Sequence, residues 1–142
     1  MRYFTVQEAN GFVPALEQAF GQIERSQLHI QRLLEELQAS GHPFDPDHAE
    51  VAEDLPQGVR HRQLHVLGLV QRIRETLGEL QAHGLIVKRL DGLVDFRSLR
   101  GERPVLLCWR KGERRIDHWH ELSAGYDTRR PVDRLFRPSL LN

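Results

Sequence analysis

Apolar residues recur three and four apart along the first third of the chain: Val13, Leu16, Phe20, Ile23, Ile30, Leu34 and Leu37, with Gln27 the one polar member. That spacing is a heptad seam, the mark of an amphipathic helix packing on a neighbour. It predicts a long helix from about Phe12, stopped by Gly41-His42-Pro43, where glycine suits the C-cap and proline cannot continue. A second seam, Val59, Gln63, Val66, Val70, Ile73, Leu77 and Leu80, predicts another long helix from Gln57 or Gly58 to His83, ended by Gly84. Two matched seams joined by one loop imply an antiparallel helical hairpin, coiled-coil-like. The joining stretch, Pro43 to Gln57, is polar and proline-rich, with a helical turn expected around His48 to Glu53. Gly68 and Gly78 read as tolerated surface positions.

Ahead of the first seam, Thr5 and Glu8 form a T-x-x-E capping box, which predicts a short helix from Thr5 to Asn10 and a bend before Pro14. From Leu85 the period changes to two. LIVKRL, Asp91-Gly92 and LVDF read as one hairpin with a tight turn. Leu99 to Arg103 reads as a charged connection. VLLCWR, Lys111-Gly112 and RIDHWHEL read as a second hairpin. The expectation is an α+β fold in one domain, 1–142: a helical hairpin over 5–83, a small antiparallel β-meander of about four strands over 85–122, and an irregular tail over 123–142.

Composition narrows the function. Lys plus Arg and Asp plus Glu are 20 each, so the formal net charge is zero. A dedicated nucleic-acid binder draws its affinity from neutralising phosphates, and this balance argues against one. No apolar run approaches the roughly 20 residues that span a bilayer, and the first residues lack a signal-peptide core. The lone cysteine, Cys108, forms no intrachain disulfide, which fits a reducing compartment. These features lead us to expect a soluble cytoplasmic protein, with neither nucleic acid nor membrane as partner. A seam this long on a two-helix hairpin leads us to expect a homodimer through the helices.

The chemistry concentrates between Arg103 and Pro131, which holds both tryptophans, Cys108, His118 and His120. His118 and His120 alternate on one strand face and could offer two imidazoles to a divalent metal, with Asp95 or Glu8 completing the set. Surface or packed histidines are the plainer reading. Arg110, Arg129 and Arg130 could clamp a carboxylate or phosphate; a structural salt bridge to Glu113, Glu121 or Asp127 is the alternative. Trp109 and Trp119 read as core, and Cys108 as a buried, inert thiol. No phosphate loop, dinucleotide fingerprint, nucleophile elbow or paired-cysteine zinc motif occurs.

Five ordered blocks carry a family resemblance: F-T-x-x-E-A-N with a following proline (4–14), G-L-V-D-F (92–96), L-C-W-R-x-G-E (107–113), W-H-E (119–121) and G-Y-x-x-R-x-P (125–131). They resemble the bacterial family designated domain of unknown function 2203. The resemblance implies a small cytoplasmic protein and brings no activity with it. Its motif positions fall on Glu8, Asn10, Asp95, Trp109, Arg110, Glu113, Trp119, His120, Glu121 and Arg129; His118 lies outside them.

The leading expectation is a binding protein, with Glu8, Asp95, Arg110, His120, Glu121 and Arg129 gathered in a polar pocket at the sheet end. Its ligand would be a small anion or a partner's acidic group. One alternative is a metal-binding or hydrolase-like protein in which His120 is ligand or general base, oriented by Asp95 or Glu121. The other is a purely structural helical interaction protein.

Overall fold

In the computed structural model, which describes residues 2–50 and 52–136, Thr5 caps a first helix α1 (Val6–Asn10). Its hydroxyl accepts the Glu8 amide at 3.0 Å, and the Glu8 carboxylate accepts the Thr5 amide at 2.9 Å. Helix α2 (Val13–Ala39) follows, with Pro14 in its first turn, where a missing N–H costs nothing. Helix α3 spans Gln57–Ala82. Both long helices stop at a glycine with positive φ, Gly41 and Gly84. In each case the next amide reaches back five residues, His42 to Leu37 and Leu85 to Leu80. That bond closes a Schellman cap. No helix among the described residues is long and apolar enough to cross a membrane.

The chain divides into two compact units: Gln22–Leu77, and Met1–Gly21 with Gly78–Asn142. In the first, α2 and α3 pack through Leu33, Leu37, Val59, Val66 and Leu69. Ile30, Leu34, Phe44, Leu55 and Val70 flank that core, so the hairpin covers much of its own seam. The Arg62 Nε donates to Glu36 across the two helices at 3.0 Å, and the His29 and His65 rings meet edge to face at 4.5 Å. The seam departs from its expected line at one place. Gln27 is exposed and Ser26 is buried instead. A straight helix drifts about 20° per heptad against a strict 3.5 repeat, so the buried stripe moves back one residue. The helical turn in the connection also falls earlier than expected, as a 3-10 turn at Pro46–His48 capped by Asp45.

The second unit is built on an antiparallel five-stranded sheet whose order follows the chain: β1 (Ile86–Arg89), β2 (Leu93–Arg100), β3 (Arg103–Arg110), β4 (His118–His120) and β5 (Arg130–Pro131). The fold is thus α+β, a helical hairpin followed by an antiparallel meander. Three expectations change. Leu99 to Arg103 is the end of a long β2–β3 hairpin with Arg100 opposite Arg103, so its turn is Gly101-Glu102. The β4 strand is only three residues long, because residues 111–117 loop out before it. The tail adds a strand, β5, by pairing with β4.

One sheet face carries Val94, Phe96, Leu107, Trp109 and Trp119, all buried. Phe4, Phe12 and Phe20 pack on it, with Phe4 at 5.2 Å from Phe96 and Phe20 at 5.8 Å from Trp109. Trp119 has the Arg100 guanidinium at 5.0 Å and that of Arg130 at 5.4 Å from its ring. Both tryptophans belong to the core, as their spacing suggests.

Candidate functional site

The opposite face of the sheet is where the polar residues collect. Alternation along a strand puts Leu93, Asp95 and Arg97 of β2 on that face, with Leu106, Cys108 and Arg110 of β3 and His118 and His120 of β4. The register sets Asp95 directly across from Cys108, and His120 across from Leu106, one diagonal step away. Asp95, Cys108 and His120 are each at most 2 % exposed. One donor atom from each, a carboxylate oxygen, Sγ and an imidazole nitrogen, lies within 4.8 Å of the other two.

The hydrogen bonds of His120 fix its chemistry. Its Nδ1 lies 2.8 Å from the Glu121 carbonyl oxygen, an acceptor only, so the proton sits on Nδ1. In the neutral ring, Nε2 then presents its lone pair to the Asp95 Oδ1, 3.2 Å away. Two acceptors face each other there, and a proton or a cation must lie between them. Neither ring nitrogen is left to serve Cys108 as a base. Burial, then the charge of Asp95, pushes the Cys108 thiol up to about 12. A thiol held protonated in this way is not an activated nucleophile.

Two loops, residues 111–117 before β4 and 121–129 after it, form a strap between β3 and β5. Glu113 anchors it. Its carboxylate accepts the Arg110 amide at 2.7 Å and takes the Arg129 guanidinium as a two-pronged fork at 2.9 and 2.6 Å. Burial opposes the charge on Glu113, but the Arg129 fork and the Arg110 amide outweigh it and hold the carboxyl below its usual range. Arg129 also donates to the Tyr126 hydroxyl at 3.2 Å and interacts with the Cys108 sulfur. The Tyr126 ring lies between two guanidinium groups, Arg129 at 4.1 Å and Arg110 at 5.1 Å.

The structure therefore brings Asp95 and His120 together and sets Arg129 beside them, while the other candidates sit elsewhere. Glu8 is spent on the α1 cap, because a carboxylate three residues past Thr5 reaches that amide first. Glu121 points to Arg103, since strand alternation turns it away from His120. Arg110 is exposed beside Tyr126. His118 shares the face of His120, yet its ring turns to Asp117 at 2.7 Å, and the donors that converge with His120 are Asp95 and Cys108. Sequence reasoning passed over Cys108 as a donor and Tyr126 as a support, while Glu113 was among the salt-bridge partners it offered the arginines and is the one that pairs with Arg129. The signal for Cys108 was its parity with Arg110, facing a strand with two histidines.

Asn10 belongs to the same set of motif positions and acts at a distance from this cluster. Its Oδ1 accepts the Ile116 amide and its Nδ2 donates to the Ile116 carbonyl, fixing the start of the strap to α1.

No curated protein matches the chain, and no solved structure does. The family model described as an uncharacterised conserved protein, domain of unknown function 2203, matches residues 2–132 of the 142. It spans every residue of the cluster, the strap and the α1 cap, and the chain belongs to that family.

Proposed function

We propose that the protein binds a divalent transition-metal ion through Asp95, Cys108 and His120. The observation that carries this is the orientation of His120. An Nδ1–H given to a backbone carbonyl, with Nε2 turned toward an anionic neighbour, is the arrangement that metal-ligating histidines adopt. Donors around a tetrahedral ion at 2.0–2.3 Å stand about 3.3–3.8 Å apart. The His120–Asp95 separation of 3.2 Å is already close to that range, and the sulfur lies within 4.8 Å of both donor atoms.

One sulfur, one imidazole and one carboxylate form a set of borderline softness. It favours Zn²⁺, Fe²⁺ or Co²⁺ over Mg²⁺ and Ca²⁺, which prefer all-oxygen shells. One thiolate and one carboxylate balance the two positive charges. Three protein donors leave a coordination position for a further ligand, the pattern of a working centre rather than a closed structural one. His120 and Asp95 hold the ion, and the Glu121 carbonyl fixes the imidazole. Arg129, tied to Glu113, covers the sulfur.

The test is elemental analysis of the purified protein, followed by cobalt substitution. The reading expects one ion per chain and a near-ultraviolet thiolate-to-cobalt band that Cys108→Ser removes. Metal should raise the melting temperature, by the equivalent of about 2.7 kcal/mol at a hundredfold excess over Kd. Asp95→Asn and His120→Ala should abolish that shift. A folded wild type that takes up no zinc or cobalt overturns the reading.

A further inference from the structure

We propose a second metal site on the surface of the helical hairpin, where His29 of α2 and His65 of α3 hold a divalent ion of the nickel and copper class between them and His61 adds a third imidazole. The site lies wholly within the hairpin unit. It stands independently of the reading of Asp95, Cys108 and His120.

The His29 and His65 rings meet edge to face with their centroids 4.5 Å apart, although they belong to different helices. Neither is enclosed: His65 is exposed and His29 half-buried. Among the described residues none gives either ring a hydrogen bond or an ion pair, so the ring nitrogens have no protein partner. A neutral imidazole in that condition is a ready metal ligand.

The separation of the rings selects the geometry. Two imidazoles on adjacent corners of an octahedral or square-planar ion, with bonds of about 2.1 Å, have ring centres about 4.6 Å apart, against about 5.2 Å on a tetrahedral ion. The observed 4.5 Å matches the right-angled case. Rotation of the two rings in place is then enough to turn one nitrogen of each toward a shared ion.

His61 precedes His65 by four residues on α3, so the two share a face one turn apart. Histidines at that spacing on a helix are a recognised pair of ligands to one metal. His61 is exposed and likewise without a hydrogen-bond partner among the described residues. The three donor atoms do not yet converge within 4.8 Å, as those of the buried cluster do. An exposed side chain changes rotamer in picoseconds to nanoseconds, so His61 closes onto an ion once the other two rings hold it.

The donor set excludes Mg²⁺ and Ca²⁺, which take oxygen shells, and favours ions high in the affinity order for nitrogen. Arg25 and Arg32 lie one turn to either side of His29 on α2, but both are exposed and extend into screening solvent.

The experiment titrates Ni²⁺ into the full-length protein, free of any histidine tag, by calorimetry. Wild type should bind Ni²⁺ saturably. His29→Ala, His61→Ala and His65→Ala should each weaken that binding about tenfold or more, with His65→Ala the most severe because His65 belongs to both pairs. All three positions are surface positions on helices, where alanine is favourable, and unchanged far-ultraviolet helicity should show that each variant is folded. Cys108→Ser should bind Ni²⁺ at this site as wild type does. A wild type that takes up no Ni²⁺, or uptake undiminished in His29→Ala or His65→Ala, overturns the inference. Uptake lost only in Cys108→Ser also overturns it and assigns the ion to the buried cluster.

Discussion

Asn10 and Ile116 are joined by two hydrogen bonds across 106 residues of sequence: the Asn10 Oδ1 accepts the Ile116 amide at 2.8 Å, and its Nδ2 donates to the Ile116 carbonyl at 3.0 Å. A side-chain amide here does the work of a missing strand neighbour. It satisfies both backbone groups of a residue whose own side chain is fully buried. Replacing it with alanine leaves a donor and an acceptor unpaired. Asn10→Ala should cost about 2–6 kcal/mol, summing the usual penalty for each group. Asn10→Asp keeps the acceptor but sets a carboxylate oxygen against the Ile116 and Val6 carbonyls, so thermal unfolding should place it well below wild type.

The Glu8 carboxyl is held below its ordinary range, first by the Thr5 amide and then by the Thr5 hydroxyl. A carboxyl whose folded-state pKa is depressed adds stability above its unfolded pKa and loses it as pH falls through the folded value. The melting temperature of wild type should therefore exceed that of Glu8→Gln near neutrality, and the gap should close on acidification below the usual range for glutamate. A gap that widens in acid would contradict the cap.

Gly92 has φ +106, and a Cβ built on it would lie 2.5 Å from the Lys111 Cβ. The turn between β1 and β2 thus packs directly on the residue that follows β3, and the Lys111 amide donates to the Gly92 carbonyl. Gly92→Ala should be destabilising by about 1–3 kcal/mol from backbone strain alone.

In the hairpin, Leu37 and Val66 are fully buried. Leu37→Ala should cost about 2–5 kcal/mol in denaturant unfolding, with the spread set by how far the site collapses. Ile30 and Val70 are only half-buried on the flank of that core. Aspartate at either position can turn its carboxylate toward water, so Ile30→Asp and Val70→Asp should cost less than the same change at Val66.

How much of this could be read from the residues depends on the range of the contacts. The capping box, both long helices, their glycine stops and the β1–β2 turn are local and were legible. Ser26 for Gln27 was not, because a one-residue drift depends on how straight the helix runs. The β5 strand was hidden because Arg130 pairs with Trp119 only after a loop returns to β4. At the site, Asp95 and His120 could be nominated from their types, but Cys108 could not join them without the register. A slip of one residue would have turned Cys108 to the tryptophan side. Arginine pairing was equally open, since Glu113, Glu121 and Asp127 were all available to Arg129, and only the 110–113 turn places Glu113 under it.

The meander runs in strict chain order, with each strand pairing to the one made just before it. Asp95, Cys108 and His120 stand on three consecutive strands, so the donor set needs no contact distant in sequence. Short-range closure of this kind is kinetically cheap. During synthesis the set is complete once β4 has emerged, before the β5 tail exists. An ion captured at that moment would tie the three strands together while the strap was still open. Refolding of the meander should accordingly be faster with metal present than without it, with the acceleration lost in Cys108→Ser.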